Sequence, residues 1–249
     1  MEPEVELDFF DIDDLIKTKK IRQRNVKDLQ DIEYLLKAKK MNEYHREQSD
    51  AIVVVRDHLK TLPASAMASL KTRIRGYLGF RKDVDSFLRR HFSELCTETC
   101  FQNRYSACCS REGITTFFAD VMINVLMSPE QEIDGLLQVL SVPNLSLKCV
   151  YLGKKGCLWR VKPIVCEMFL CEHARNTVFD KAPRALRQWE RLKRRGKRYT
   201  WPSRPVLFDD LETYFIEKGY SSSLMYFHNS PGLLRVKAQA SGAKRANAA

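Results

Sequence analysis

Apolar residues recur at helical spacing through much of the chain. After Asn25 they stand three or four residues apart, at Val26, Leu29, Ile32, Leu35 and Leu36. This spacing places them on one helix face, and Asn25 is the predicted N-cap. The pattern continues to Leu59 and ends at Leu62-Pro63, because the residue before proline disfavours helical backbone. The first 95 residues are therefore predicted to be helical, with an amphipathic helix over 81–95.

Four later segments also predict helices. Residues 116–127 are mostly apolar and predict a buried helix. Residues 128–140 predict a second one, with Ser128 as N-cap, Pro129 in the first helical position and Gln131 completing a capping box. Residues 183–195 and 206–220 return to the helical pattern, and Gly219 is the predicted stop of the last helix.

The segments between these helices are irregular. Gly153, Gly156 and two prolines interrupt residues 142–166, whose short apolar runs predict one or two small strands. The predicted fold class is mainly α, with irregular cysteine-rich loops and at most a small β element. The predicted regions are a helical N-terminal region (1–95), a cysteine-cluster metal-binding domain (96–175), a helical basic C-terminal region (176–236) and a disordered tail (237–249).

Composition narrows the class of protein. No run of about 18 apolar residues is present, so no transmembrane segment is expected. The acidic start, MEPEVELDFFDIDD, lacks the features of a signal peptide. We therefore expect a cytoplasmic protein, in which thiols stay reduced.

All eight cysteines lie between positions 96 and 171. Their spacing is C-x3-C-x7-C-C, then 39 residues, then C-x7-C-x8-C-x4-C. They are Cys96, Cys100, Cys108, Cys109, Cys149, Cys157, Cys166 and Cys171. Two groups of four thiols suit two four-coordinate zinc sites or an iron or iron–sulfur centre. Because neighbouring side chains usually point apart, Cys108 and Cys109 are expected to serve different ions or different edges of one cluster.

Two alternatives stay open for the cysteines: they are small buried apolar residues, or they form redox disulfides. The absence of a C-x-x-C motif weakens the redox reading. The cations between Lys148 and Lys162 either offset the negative charge of bound thiolates or are solvated loop residues.

The cysteine pattern resembles the bacterial cysteine-cluster proteins of the YkgJ type, described as zinc- or iron-chelating domains. The resemblance covers residues 96–171. It rests on the two spaced cysteines, the CC pair, Ile114, Asp120 and the closing segment GCLWRVKPIVCEMFLC. The gap before the CC pair is longer here, and Lys162 stands where arginine is usual. The resemblance implies metal binding, and it leaves open whether the protein is an iron–sulfur oxidoreductase, a protein-modifying enzyme or no enzyme.

Two residues are candidates for supporting the ligands. Asp120 is either a partner of a ligand-bearing loop, a weak metal ligand or a surface residue in the first turn of a helix. His173, two residues after Cys171, either replaces a thiolate or lies behind the ligands or in solvent.

A basic segment follows the cysteines. Between Arg184 and Arg204 there are nine basic residues and one acidic residue, in a chain of net charge +11. The candidate anion-binding residues are Arg191, Lys193, Arg194, Arg195, Lys197 and Arg198. With Trp189, Tyr199 and Trp201 interleaved, the segment predicts either a nucleic-acid surface, contact with an acidic protein or an anionic membrane surface, or a solvated helix with inward aromatic rings. No recognised nucleophile or phosphate-binding loop motif is present.

Overall fold

The computed structural model describes residues 26–110, 115–144, 146–200, 206–226, 233–234 and 237–239, with backbone alone for 26–42. Asn25, Ile114 and Trp201 therefore lie outside the described residues, as does the predicted tail beyond 239. The chain divides into two compact units, Met1–Met41 and Asn42–Ala249. The second unit holds the described core and all eight cysteines.

The fold is mainly helical, as predicted. The helices are α1 (Val26–Thr61), α2 (Ala64–Phe92), α3 (Phe118–Met127), α4 (Glu130–Leu140), α5 (Ile164–Met168), α6 (Glu172–Phe179), α7 (Pro183–Thr200) and α8 (Leu207–Glu217). A π-helical segment, Ser93–Phe101, continues directly from α2, and a 3-10 turn spans Ser223–Tyr226. Gly219 follows α8 with a φ of +83°, which favours glycine and ends the helix as predicted.

The predicted capping box at the start of α4 is wrong. Pro129 is the N-cap with extended backbone, and no side chain caps the helix. Ser128 instead ends α3, because its N–H donates to the carbonyl of Asn124 at 2.9 Å. The two helices are joined so tightly that Ser128 belongs to the end of the first helix and not to the start of the second.

Helices α2 and α7 pack against each other through stacked aromatic rings. Phe87 stacks on Trp189 with ring centroids 5.3 Å apart, and Phe80 stacks on Tyr199 at 5.5 Å. A Cβ added to Gly196 would lie 3.2 Å from the ring of Phe80. Glycine at this position therefore lets the two helices approach closely.

Helix α3 is the most buried element, with every residue from Phe118 to Leu126 buried. It packs on α8, where the rings of Phe118 and Phe215 meet edge to face at 5.0 Å. This explains why the sequence of α3 is mostly apolar, with two polar residues, Asp120 and Asn124, that are also buried.

The predicted small β element is a two-stranded antiparallel hairpin, β1 (Leu152–Gly153) and β2 (Gly156–Cys157). Leu152 pairs with Cys157, so one cysteine lies in a strand. Gly156 has a φ of +113°, which side chains disfavour. Within the part of the chain that the structure describes, no helix has the length and apolarity needed to cross a bilayer.

Candidate metal centre

The first four cysteines lie in one stretch of chain, residues 96–109, that follows α2. Cys96 and Cys100 belong to the π-helical segment, and the N–H of Ala107 donates to the Cys100 sulfur at 3.5 Å. Arg104 and Ser106 then adopt positive φ angles of 62° and 38°. These reverse the chain, so that Cys108 and Cys109 return beside the π-helical segment.

Backbone hydrogen bonds join this segment to the second cysteine segment. The N–H of Cys149 donates to the carbonyl of Cys109 at 2.9 Å, and Ser110 forms an isolated β-bridge with Lys148. The hairpin then brings Cys157 back toward Cys149. Cys166 lies in α5, and Cys171 is the N-cap of α6. Two stretches about 40 residues apart in sequence are thus neighbours in the fold.

The eight cysteines are free, with no disulfide among them. Their electrostatic interactions indicate two sets. The first set surrounds Cys96, because Cys108, Cys171 and Cys100 all raise its pKa, in addition to burial, to about 11. The second set surrounds Cys109, on which Cys149, Cys157 and Cys166 act. The expected separation of Cys108 from Cys109 is not seen in their side chains, because the two thiols are hydrogen-bonded to each other and Cys108 also interacts with Cys166.

The adjacent thiols are coupled. The Cys108 thiol donates a hydrogen bond to Cys109, which raises the pKa of Cys108 and lowers the pKa of Cys109. A thiolate accepts this bond better than a thiol does, so Cys109 is the cysteine of the pair that ionises first. Thiolate is the form that binds metals.

Backbone N–H groups also face the sulfurs of the second set. Burial raises the pKa of Cys149 to about 12 and that of Cys166 to about 11. Hydrogen bonds from the N–H groups of Tyr151 and Thr115 act in the opposite direction, and Trp159 does the same for Cys157. The loops therefore supply donors that stabilise thiolates.

Eight thiols suit a thiophilic metal in the type and number of donors. Their positions, however, do not form a finished coordination site. The sulfurs are close enough to shift one another's pKa. Among the described residues, which include all eight cysteines, no three His, Cys, Asp or Glu side chains converge closely enough to hold an ion. Metal binding is commonly coupled to local ordering of the ligand loops.

A buried polar network holds the loop that carries Cys166. Arg81 donates to the Tyr77 hydroxyl at 2.7 Å and to the carbonyl of Lys162 at 2.8 Å. Its guanidinium also lies 3.7 Å from the Glu167 carboxylate, which Lys162 approaches at 3.3 Å. Glu167 directly follows Cys166. Arg81 therefore connects the middle of α2 to both sides of this cysteine.

Asp120 is buried and binds the same loop, so it is not a surface residue of a helix end. Its two carboxylate oxygens accept the N–H groups of Phe117 at 3.2 Å and Ile164 at 3.0 Å. Burial raises its pKa to about 7, and the two N–H groups and Arg81 oppose this shift. One turn later, Asn124 accepts the N–H of Val161 at 2.9 Å. Helix α3 thereby fixes the start of α5.

The sequence interpretation did not identify Arg81, Tyr77, Glu167 or Asn124. A signal for Arg81 was present: Ile74, Tyr77 and Val84 share its helix face and are buried. A charged residue in an apolar stripe must find a partner inside the protein. No comparable pattern in the sequence singles out Glu167.

The cations between Lys148 and Lys162 separate into two groups. Lys162 acts on two of the thiols, where it lowers the pKa of Cys108 and Cys157 against the larger raising effects. Arg160 forms a two-pronged ion pair with Glu132 at 2.6 and 2.8 Å. Lys154 and Lys155 are exposed in the hairpin turn. Most of these cations thus fit the solvated alternative.

His173 is exposed in the first turn of α6. This position fits the alternative in which its side chain lies in solvent.

The basic segment forms α7, whose aromatic rings point inward. Trp189 is buried against α2, and the Tyr199 hydroxyl donates to the carbonyl of Gly76 at 3.1 Å. The rings therefore do not present faces for base stacking. Of the six candidate cations, Lys193 pairs with Glu190 and Arg195 pairs with Asp83. The other four, Arg191, Arg194, Lys197 and Arg198, are exposed.

In comparisons with known proteins, the chain matches no family model, no curated protein and no solved structure.

Proposed function

We propose that this chain is a metal-binding protein that holds zinc or an iron or iron–sulfur centre through its eight cysteines. The observation that carries this proposal is that backbone hydrogen bonds join the two cysteine segments and that the thiols of both segments act on one another's pKa. The proposed ligands are Cys96, Cys100, Cys108 and Cys171 in one set and Cys109, Cys149, Cys157 and Cys166 in the other. Four thiolates satisfy one zinc ion or one iron–sulfur cluster.

The protein supplies the surroundings of this centre. The N–H groups near Cys149, Cys157 and Cys166 favour thiolates, and Lys162 adds a positive charge. A bound zinc ion would hold the loops together, and a bound iron–sulfur cluster would add electron transfer. Membership of the YkgJ-type proteins and a place in the reducing cytoplasm are part of the same proposal.

The metal content of anaerobically purified protein tests this function. We expect about two zinc ions, or visible absorption from iron–sulfur clusters, per chain. With two separate sites, Cys96→Ser and Cys149→Ser each remove about half of the metal, because each variant loses one ligand of one set. With a single multinuclear cluster, either variant removes nearly all of it. The measurement is metal analysis by mass spectrometry, together with the visible spectrum.

His173→Ala is the control for this experiment. Its side chain is exposed, so the variant should keep its metal content. Fresh wild-type protein without bound metal would refute the proposal. Loss of metal in His173→Ala would refute the assignment of an all-cysteine ligand set.

As a second candidate function, we propose that the exposed face of α7 binds nucleic acid through phosphates. The support is the charge of Arg191, Arg194, Lys197 and Arg198. The rings of Trp189 and Tyr199 pack against α2, so the proposal rests on contacts to phosphate. We expect Lys197→Glu/Arg198→Glu to weaken binding of a single-stranded RNA oligomer about tenfold and to lower the salt dependence by about two counterions. Fluorescence anisotropy at several salt concentrations measures both.

The matched control reverses the adjacent hairpin pair, Lys154→Glu/Lys155→Glu, which carries the same charge change on another exposed surface. Equal losses in the two double variants would show only a general effect of net charge and would reject this candidate. Binding of an acidic protein in place of RNA would reject it as well.

A further inference from the structure

A groove runs between α2 and α7 on the surface where these two helices meet. Its volume is about 320 Å³, at the lower end of the range of small-molecule sites. The residues that line it are Asp83, Ser86, Phe87, Arg90, Gln188, Arg191, Leu192 and Arg195. The groove is lined by residues of α2 and α7 and by no cysteine, and its assignment does not depend on the proposed metal.

The charge of the lining is strongly positive. Three arginines, Arg90, Arg191 and Arg195, face one carboxylate, Asp83, so the formal charge of the lining is +2. Asp83 pairs with Arg195 at 2.8 Å. Within the described residues, Arg90 and Arg191 form no ion pair with a carboxylate. Two guanidinium groups thus remain for a ligand, and guanidinium matches the oxygens of phosphate.

One arginine of the groove, Arg195, is held in place by its neighbours, and part of the lining is apolar. The Arg195 guanidinium is held between Asp83 and the ring of Phe80, whose centroid lies 5.5 Å away. Phe87 and Leu192, which are both buried, supply the apolar part of the lining. Ser86 and Gln188 add neutral polar groups. A ligand that fits would carry a compact anionic group and a small organic part.

We propose that this groove binds the phosphate group of a small phosphate monoester. A monoester dianion balances the lining charge of +2, and its organic part has room above Phe87 and Leu192. A nucleic-acid backbone fits less well, because each of its phosphates carries one charge and the neighbouring rings are turned inward. Asp83 pairs with Arg195 and therefore competes with the bound phosphate for this guanidinium.

Calorimetric titration of the 249-residue chain with phenyl phosphate tests this site. We expect saturable binding to one site per chain with a Kd of about 1 mM or tighter, and weaker binding of inorganic phosphate, which lacks the organic part. Arg191→Gln and Arg90→Gln should each weaken binding about fivefold, and Asp83→Asn should strengthen it about fivefold. A gain of affinity separates the proposal from simple loss of folding.

Each key variant has a matched control on the same helix. Arg194→Gln removes an exposed α7 charge outside the groove, and Asp85→Asn removes an α2 carboxylate that pairs with Arg89 and not with the groove. Both controls should change the affinity less than about twofold. The proposal is overturned if phenyl phosphate shows no saturable binding, if Arg194→Gln matches Arg191→Gln, if Asp83→Asn fails to strengthen binding, or if only RNA binds.

Discussion

Replacing Arg81 with Met is expected to lower the free energy of unfolding by about 3–5 kcal/mol. The variant leaves the buried Glu167 carboxylate with only Lys162 nearby, and it removes the donors to the Tyr77 hydroxyl and to the carbonyl of Lys162. An unpaired buried charge costs more than the pair itself contributes. Denaturant unfolding followed by circular dichroism measures the loss.

Two further variants show whether this buried pair is the cause. Arg89→Met removes an exposed arginine from the same helix, where it pairs with Asp85, and should cost less than about 1 kcal/mol. Adding Glu167→Gln to Arg81→Met removes the stranded charge and should restore part of the stability. If Arg81→Met and Arg89→Met were equally stable, the buried network would have no special role.

Asp120→Ala is expected to cost about 2–4 kcal/mol and to increase the reactivity of Cys166, whose side chain is exposed but whose pKa is raised to about 11 by desolvation. The substitution removes the acceptor of two backbone N–H groups, at Phe117 and Ile164, and each such hydrogen bond to a buried polar group is worth about 1–2 kcal/mol. Because Ile164 begins α5, loss of the bond loosens the helix that carries Cys166. We expect faster alkylation of Cys166 by iodoacetamide, located by mass spectrometry, together with a lower midpoint of unfolding.

The control for this variant lies on α4. Asp134→Ala removes an exposed carboxylate that only approaches Arg56 at 3.7 Å, so stability and alkylation should change little. Asp120→Asn keeps one carbonyl oxygen and should fall between Asp120→Ala and the wild type. A normal alkylation rate in a destabilised Asp120→Ala would show that Asp120 supports α3 but does not position Cys166.

The sequence predicted the helices well because their signal is local. Apolar residues at spacings of three and four reveal α1 and α8 directly, and the mostly apolar composition of α3 reveals its burial. The predicted cap of α4 is wrong because a capping motif in the sequence does not show where the preceding helix ends. Ser128 satisfies the sequence rule, and the tight join to α3 gives it another role.

For the candidate site, the sequence identified which residues carry thiols and where they cluster. It did not identify what holds the loops, because those contacts join residues far apart in the chain. Arg81 meets the carbonyl of Lys162 across 81 positions, and Asp120 meets the N–H of Ile164 across 44. No local pattern records such pairs.

By itself, the sequence of this protein determined the helical class, the small hairpin, the clustered thiols and the basic character of α7. Each of these follows from spacing or composition within a short stretch. The tertiary structure decided which sulfurs interact, that Asp120 is buried, that the α7 rings face α2, and that three arginines share one groove. Those outcomes depend on how helices pack, and packing is set by the whole core together and by no single segment.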